Sequence, residues 1–404
     1  MEMSDLGAPT VTHVVHSIGR KSFGLGSVAG SLAAHQQSSG WQAEIWCLDD
    51  ETEAEWACRR YGLRPATVRL FPRFGPERFY YAPSMEREAR KQSRLAGSIL
   101  HQHGIWSGLS RVSGRWRKHA RGSVVVAPHG ALAPFARRVS AWKKHIAWAA
   151  YERENLENCA CVHALNETEA VQCREFGVKR PIAVIPNGIS PDWLEEAVDQ
   201  AVLRTKLGLP RDVKIMLYVG RLHRQKGLSM LLDALALLRP SLLKEWKVVI
   251  GGIDERNHQS ELRAQAQRLG LSGSILFPGP LFDAEKRAAF AGADLFVLPS
   301  YSEAFPIGIL EAMGAGVAVI TTTAVPLDEL RSGAFGWYVA PERDAISAAI
   351  NDAFSCESKE LRNIGSRGRE LVSGHYTWPR VAAETERLYQ WLACASPQPE
   401  FVRV

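Results

Sequence analysis

Short apolar runs recur along the whole chain, and between them the apolar residues thin out to helical spacing. "VTHVVHS" (11–17), "QAEIWCL" (42–48), "GSILHQH" (97–103), "GSVVVAP" (122–128), "CVHALN" (161–166) and "IAVIPNG" (182–188) predict the strands of a first sheet. A cleaner second series follows in "VKIMLYVG" (213–220), "WKVVIGG" (246–252), "SILFPG" (274–279), "ADLFVLPS" (293–300) and "GVAVITT" (316–322). "GLSMLLDALALL" (227–238) and "HQSELRAQAQRLG" (258–270) have helical periodicity. "YTWPRVAAETERLYQWL" (376–392) predicts a C-terminal amphipathic helix, free to pack onto either domain and expected to pack back toward the N-terminal one. Strands alternating with helices predict βαβ units and parallel sheets, an α/β fold. "SPDWLEEAVDQAVLRTKLGLPRD" (190–212) breaks the rhythm and marks the expected boundary. The expected architecture is two Rossmann-like domains facing a cleft, 1–190 and 191–375, with 376–404 as helix and tail.

Composition adds limits. The 404 residues exceed the ~250–300 at which one core usually splits. No apolar run approaches the ~18–20 residues that span a bilayer, and "MEMSDLGAPT" does not look like a signal peptide. The seven cysteines form no C-x-x-C and suit buried thiols in a reducing cytoplasm. The net charge of +6 is uneven: residues 1–189 carry 25 Lys/Arg against 17 Asp/Glu, and 89–151 contain no acid at all. "LSRVSGRWRKHAR" (109–121) and "VSAWKKHIAWAAYER" (139–153) read as helices there. Arg111, Arg115 and Lys118 share one face; Arg137, Arg138, Lys143 and Lys144 surround the second helix; Trp116 and Trp142 are interleaved. Basic faces edged by Trp suit an anionic membrane surface, and also suit plain solvation. No recognition motif supports nucleic acid.

Candidate chemistry lies where strands end. "VKIMLYVG" runs into "RLHRQKGL", placing Arg221 and Lys226 at a carboxyl sheet edge on a Gly-bounded loop that leads into a helix. A guanidinium fork beside a point charge suits a diphosphate; the same pair also fits a solvated loop. After "DLFVLPS", "SEAFPIGILEAMGAG" (302–316) sets Glu303 on the loop and Glu311 about one turn into a helix that begins near Pro306. That start would leave the Ile307 and Gly308 amides free. Carboxylates accept paired hydrogen bonds from vicinal hydroxyls, so two of them suit two diols; helix-start acids are also common for dipole reasons alone. His101 and His103 alternate onto one strand face, but no third ligand at plausible spacing appears, so no metal site is expected. Cys159, Cys161 and Cys173 read as core.

Together "SxxEAFPxxxLEAMGAG", "VGRLxxxKG" and "IPNG" resemble the retaining glycosyltransferases of the GT-B fold, family 4 (glycosyl transferases group 1), over almost the whole chain. The resemblance implies that Glu303 lies near the donor sugar, Glu311 on the ribose, and Arg221 with Lys226 on the diphosphate of a UDP- or GDP-sugar. Phe305, Ile307 and Gly308 would line the donor, and Leu281 in "FPGPL" (277–281) would meet the base through backbone. "SFGLGS" (22–27) resembles the Gly-rich loop over the donor phosphates, with Gly24 and Gly26 matching and Phe23 where the family commonly has Gly. His129 in "APHG" matches a His facing the reacting sugar, although a lone strand-end His is often structural. Ala304 and Pro306 stand where the family frequently has Gly, and Pro306 lacks an amide for the sugar. The implied chemistry is front-face transfer without metal or other cofactor, under domain closure, to a glycan acceptor. That acceptor is expected to be lipid-linked, in surface-polysaccharide synthesis on the cytoplasmic side of the membrane. A non-catalytic nucleotide-sugar or polyanion binder is the alternative, and an epimerase or phosphorylase a third reading.

Overall fold

A computed structural model describes residues 10–20, 22, 24–76, 79–92, 97–119, 122–195, 199 and 201–404. The chain forms two units: one runs up to Gly188 and resumes at Trp378–Val404, the other is Ile189–Thr377. The stretch 190–212, read as a boundary, thus begins just inside the second unit.

The first unit contains β1 (Thr10–Val14), β2 (Gln42–Cys47), β3 (Val68–Leu70), β4 (Ile99–His103), β5 (Ser123–Ala127), β6 (Cys161–Ala164) and β7 (Ile182–Val184). They pair in parallel in the order β3-β2-β1-β4-β5-β6-β7, and Val402–Arg403 adds an antiparallel edge beside β7. Helices cover such a sheet on both faces, so its central strands are apolar runs rather than alternations. β4 is buried at every position. The first crossover helix, Leu25–Ser38, lies against the C-terminal helix Trp378–Leu392, which therefore belongs to this unit.

The basic stretch forms the first helix its periodicity predicts, with its tryptophan turned inward. The helix Leu109–His119 turns Leu109, Val112 and Trp116 into the core, so Trp116 edges no basic face. Arg111 and Arg115 both donate to Glu86 (2.7 and 3.1 Å), and Arg117 and Lys118 meet Glu154 (3.2 and 3.1 Å). These acids flank the acid-free segment in sequence, and the fold brings them back onto it. The second expected helix, 139–153, begins at Ala141 and turns π-helical at Trp148. Pro134–Arg138 and Ala141–Ala147 are separated at Ser140, whose φ is +53°; a π-helical turn, Trp148–Glu152, follows, then Arg153–Asn158.

The second unit contains β8 (Lys214–Val219), β9 (Trp246–Gly251), β10 (Ile275–Gly279), β11 (Leu295–Leu298), β12 (Ala318–Thr322) and β13 (Gly336–Val339). Its order, β10-β9-β8-β11-β12-β13, is again that of a Rossmann sheet, all parallel. Strand order reverses between β8 and β11. Loops leaving the carboxyl ends of such a pair splay apart and make room for a ligand.

Candidate active site

The β8 and β11 loops meet at that switch point. A Cβ on Gly252, just past β9, would overlap the Gly220 carbonyl oxygen, and one on Gly227 would overlap that of Pro299. Gly227 also has φ +69°, so only glycine suits both its conformation and its surroundings. The approach is stitched by hydrogen bonds: Gln225 Nε2 donates to the Ser302 carbonyl and the Tyr301 amide to the Gln225 carbonyl, both 2.9 Å.

This stitching brings Lys226 onto Glu303. Lys226 Nζ donates to both carboxylate oxygens at 2.6 and 2.8 Å, and Ser300 Oγ donates to Glu303 Oε1 at 2.6 Å. The two side chains are only 16% and 10% exposed. Arg221 instead pairs with Glu255 at 2.7 Å and stays 43% exposed, while the Tyr218 hydroxyl donates to the Arg221 carbonyl at 2.8 Å. Burial, and secondarily the Glu303 charge, pushes the Tyr218 phenol well above its usual range, so it stays a donor. The two cations expected to stand free for phosphate therefore each hold a carboxylate from another loop, a pairing that local sequence does not reveal.

The helix Ile307–Gly314 starts after Pro306, whose φ of −90° and ψ of 66° form a tight inverse turn. The Ile307 amide donates to the Phe305 carbonyl at 3.1 Å, and the Ile309 and Leu310 amides both reach the Pro306 carbonyl. Ile307 is thus not the free donor expected of it; Gly308 occupies the second helical position. Glu311 is buried and accepts from Lys286 Nζ at 2.6 Å. Lys286 was not singled out in the sequence, where it is one charge among several on the helix Asp283–Ala291. Leu281 is buried with its side chain against Gly251, leaving its backbone for any base contact. Phe305 packs against the same core.

In the first unit, Gly24 (φ +70°) precedes the helix Leu25–Ser38, and a side chain on Gly26 would overlap Ser22 and the Ser17 carbonyl. Phe23 lies outside the described residues. His129 ends the β5 strand loop at φ +53°, and the Gly130 amide behind it donates to Glu169 at 2.5 Å. Burial raises that carboxyl to about 6, against the two amides it accepts.

His129 is half-buried and joins a chain of four buried histidines, His13, His101, His103 and His163. Its Nε2 lies 3.1 Å from His103 Nδ1, His103 Nε2 lies 3.0 Å from His13 Nδ1, and His13 Nε2 lies 2.7 Å from Gln36 Oε1. An amide oxygen only accepts, so the protons sit on Nε2 of His13, then His103, then His129, leaving His129 unprotonated at Nδ1. A second branch ends on the Ile185 carbonyl, which accepts from His163 Nε2 at 2.8 Å. His163 Nδ1 faces His101 Nε2 at 3.3 Å, and His101 Nδ1 accepts from the Tyr389 hydroxyl at 2.6 Å. Burial lowers all five, His13 and His163 to about 4 and His129 to about 3, so the rings are neutral. The trio His13, His101 and His103 brings ligand-type atoms within 4.8 Å of one another. The expectation of no third ligand is corrected: parallel pairing sets His13 opposite His101. Every ring nitrogen of the trio already has a hydrogen-bond partner.

Two family models match the chain: Glycosyl transferase 4-like domain over residues 23–188 and Glycosyl transferases group 1 over 199–371. The chain belongs to the group 1, family 4-type glycosyltransferases. The first model ends where the first segment of unit 1 ends, and the second lies within Ile189–Thr377. Among curated relatives, the phosphatidyl-myo-inositol mannosyltransferase of Mycobacterium leprae is 36% identical over 52% of this chain and 53% of its own. The GDP-mannose:cellobiosyl-diphosphopolyprenol alpha-mannosyltransferase of Komagataeibacter xylinus is 28% identical over 72% of this chain and 71% of its own. This glycosyltransferase chain spans about half the length of the first curated relatives it matches. The sucrose-phosphate synthase of Thermosynechococcus elongatus superposes with a TM-score of 0.75 at 22% identity, covering 96% of this chain and 100% of that one. An Anabaena protein solved with UDP and glucose gives the same TM-score and coverage at 19% identity. These likenesses establish the GT-B fold. Among the described residues, no helix is long and apolar enough to cross a membrane.

Proposed function

We propose that this chain is a retaining, metal-independent hexosyltransferase that moves a sugar from a UDP- or GDP-sugar to a lipid-linked glycan of surface-polysaccharide assembly. The observation that carries this reading is the Lys226–Glu303–Ser300 cluster at the carboxyl edge of β8 and β11, with Glu311 on the adjoining helix. Glu311 would hold the ribose hydroxyls and Glu303 the donor sugar. Lys226 and Arg221 would turn from their carboxylates to the diphosphate as charge builds on that leaving group. The acceptor hydroxyl would attack from the face the diphosphate leaves, with His129 at the reacting sugar and Gly24 and Gly26 in the loop over the phosphates. Phe305, Ile307, Gly308 and the backbone of Leu281 would complete the donor site. The acceptor class is supported by relatives named for a diphosphopolyprenol-linked sugar and, in Salmonella typhimurium, for a lipopolysaccharide 1,2-N-acetylglucosaminetransferase.

Peripheral attachment at an anionic membrane surface, on the cytoplasmic side, belongs to the same reading. Phe135 on Pro134–Arg138, Val139 just after it, and Trp142 and Ile146 on Ala141–Ala147 are all exposed, Trp142 by 65%. Arg137, Arg138 and Lys143 lie among them, and none has a carboxylate partner among the described residues. Apolar side chains edged by cations are the chemistry of an interfacial helix.

The test is a panel of UDP-, GDP- and ADP-sugars, read first by thermal shift and then by donor hydrolysis and transfer. One donor should stabilise the protein and be turned over with EDTA present, and NMR couplings should show anomeric retention. Binding without turnover would instead make the chain a nucleotide-sugar binder, an inverted product would refute the mechanism, and loss of turnover in EDTA would refute metal independence.

A further inference from the structure

The first unit holds a cavity of about 560 Å³ whose walls include Trp106, Trp148, Phe176, Arg137, Arg138 and Lys144, and no acidic residue lines it. The three aromatic rings meet edge-on or tilted, with centroids 5.0–6.5 Å apart. The cations sit over them: the Arg137 guanidinium is 5.4 Å from the Phe176 ring and Lys144 Nζ 5.9 Å from that of Trp106. Lys144 also donates to the Ala136 carbonyl. One wall is apolar and π-rich; the other carries fixed positive charge.

The backbone around this cavity is unusual on two sides. Trp106 has φ +67°, a conformation that a bulky residue adopts only when its surroundings enforce it. Trp148 opens the π-helical turn, an irregularity that recurs at functional sites. Glu152 joins the two: fully buried at the end of that turn, it accepts the Trp106 amide at 2.8 Å, the Ser110 hydroxyl at 2.8 Å and Asn155 Nδ2 at 3.0 Å. The Trp106 indole in turn donates to the Ala131 carbonyl at 3.1 Å, two residues past His129. The cavity therefore lies at the carboxyl edge of the sheet, beside the loop that carries His129. Its roof, Pro134–Ala147, bears the exposed Phe135, Val139, Trp142 and Ile146 on its outer side.

Resting on the lipid-linked acceptor read above, we propose that this cavity holds the diphosphate and first isoprene units of that acceptor. Arg137, Arg138 and Lys144 supply charge for an anion that can accept several hydrogen bonds, and Trp106, Trp148 and Phe176 supply a surface for unsaturated hydrocarbon. The exposed roof gives the rest of the chain a route to a bilayer. A glycan on that diphosphate would begin next to the His129 loop.

The experiment uses farnesyl diphosphate as probe, titrated against the full chain and followed by indole fluorescence and calorimetry. Inorganic pyrophosphate and phosphatidylglycerol vesicles form parallel arms. Farnesyl diphosphate should bind at least about tenfold tighter than pyrophosphate, because both walls of the cavity contribute. Arg137→Ala with Arg138→Ala, both exposed, should weaken the probe by about tenfold or more. Trp148→Phe should weaken it less and keep the fold. Trp142→Glu with Ile146→Glu should abolish vesicle binding and leave the probe bound. Equal affinity for pyrophosphate and farnesyl diphosphate, or an unchanged affinity in the arginine double variant, would overturn the assignment. So would loss of probe binding in the Trp142/Ile146 variant, which would mean that the lipid surface alone is recognised. Donor binding on the same sample separates the two readings: a chain that binds nucleotide-sugar but not farnesyl diphosphate fails here alone. One that binds the probe but no nucleotide-sugar fails as a transferase instead.

Discussion

Lys226 and Glu303 neutralise each other, and this shapes what each substitution should do. A diphosphate must compete with Glu303 for Lys226 Nζ, now held by two hydrogen bonds of 2.6 and 2.8 Å. Glu303→Gln keeps the shape and removes the competing charge. Its affinity for free UDP or GDP should hold or rise, by up to about tenfold, while transfer falls. Glu311→Gln should act oppositely, weakening free nucleotide by ~1–2 kcal/mol as a charged acceptor for the ribose is lost, and stranding Lys286. Isothermal titration of both variants with the sugar-free nucleotide checks this; equal losses would rule the division out. Lys226→Ala should lower kcat by about 10²–10³ at saturating donor, the usual worth of a group aimed at developing charge. Arg221→Ala should cost less, since Arg221 is more exposed and screened. A wild-type kcat in Lys226→Ala would remove Lys226 from the leaving-group role.

At the level of elements, most of both sheets was legible because buried parallel strands are uninterrupted apolar runs. β3 and β13 escaped, being only Val68–Leu70 and Gly336–Val339, partly buried and too short to show a period. The glutamates of the candidate site were legible because their spacing is local. Their partners were not: Lys286, Glu255 and Ser300 reach the site only through strand order. Histidine clustering failed for the same reason, since His13 meets His101 through the register of β1 on β4. That cluster yields a pH prediction. Its rings have folded-state pKa values below the unfolded 6.5, so the unfolded chain binds more protons as pH falls. Stability is therefore complete above about pH 6.5 and declines toward pH 4, each ring contributing a slope of up to about 1.4 kcal/mol per pH unit. Glu169, raised to about 6, works the other way, favouring the fold on protonation, as do Glu152 and Glu386, whose carboxyls burial also raises; the five rings outnumber these three. Urea midpoints should fall steadily between pH 7 and pH 5, and less steeply in His163→Asn. A flat profile would mean that the rings are not buried neutral.

For the whole molecule, the chain's return to its first unit has an energetic consequence. Trp378, Val381, Leu388 and Tyr389 are buried in that unit, and the Tyr389 hydroxyl donates to His101. Val402 pairs with Ala183 at the sheet edge, the Val184 amide reaches the Phe401 carbonyl at 2.9 Å, and Arg403 meets Glu167 at 2.8 Å. Each large apolar side chain contributes roughly 1.5–3 kcal/mol through burial, and a domain's net stability is only about 5–15 kcal/mol. Ending the chain at Thr377 should therefore unfold the first unit, although the cut lies far from most of it in sequence. The second unit has its own core, built on Met216, Val249, Phe296 and Ile320, and loses none of it. Limited proteolysis of the shortened chain should digest the first segment and leave a resistant fragment near Ile189–Thr377. That fragment should still bind free UDP or GDP if Glu311 holds the ribose, because Glu311 and Lys286 both lie within it. Tyr389→Phe in the full chain is the finer version, leaving His101 Nδ1 without its donor at a cost of ~1–3 kcal/mol. A shortened chain whose first unit resists protease as the full chain does would show that the terminal helix is dispensable, and that the core of that unit closes without it.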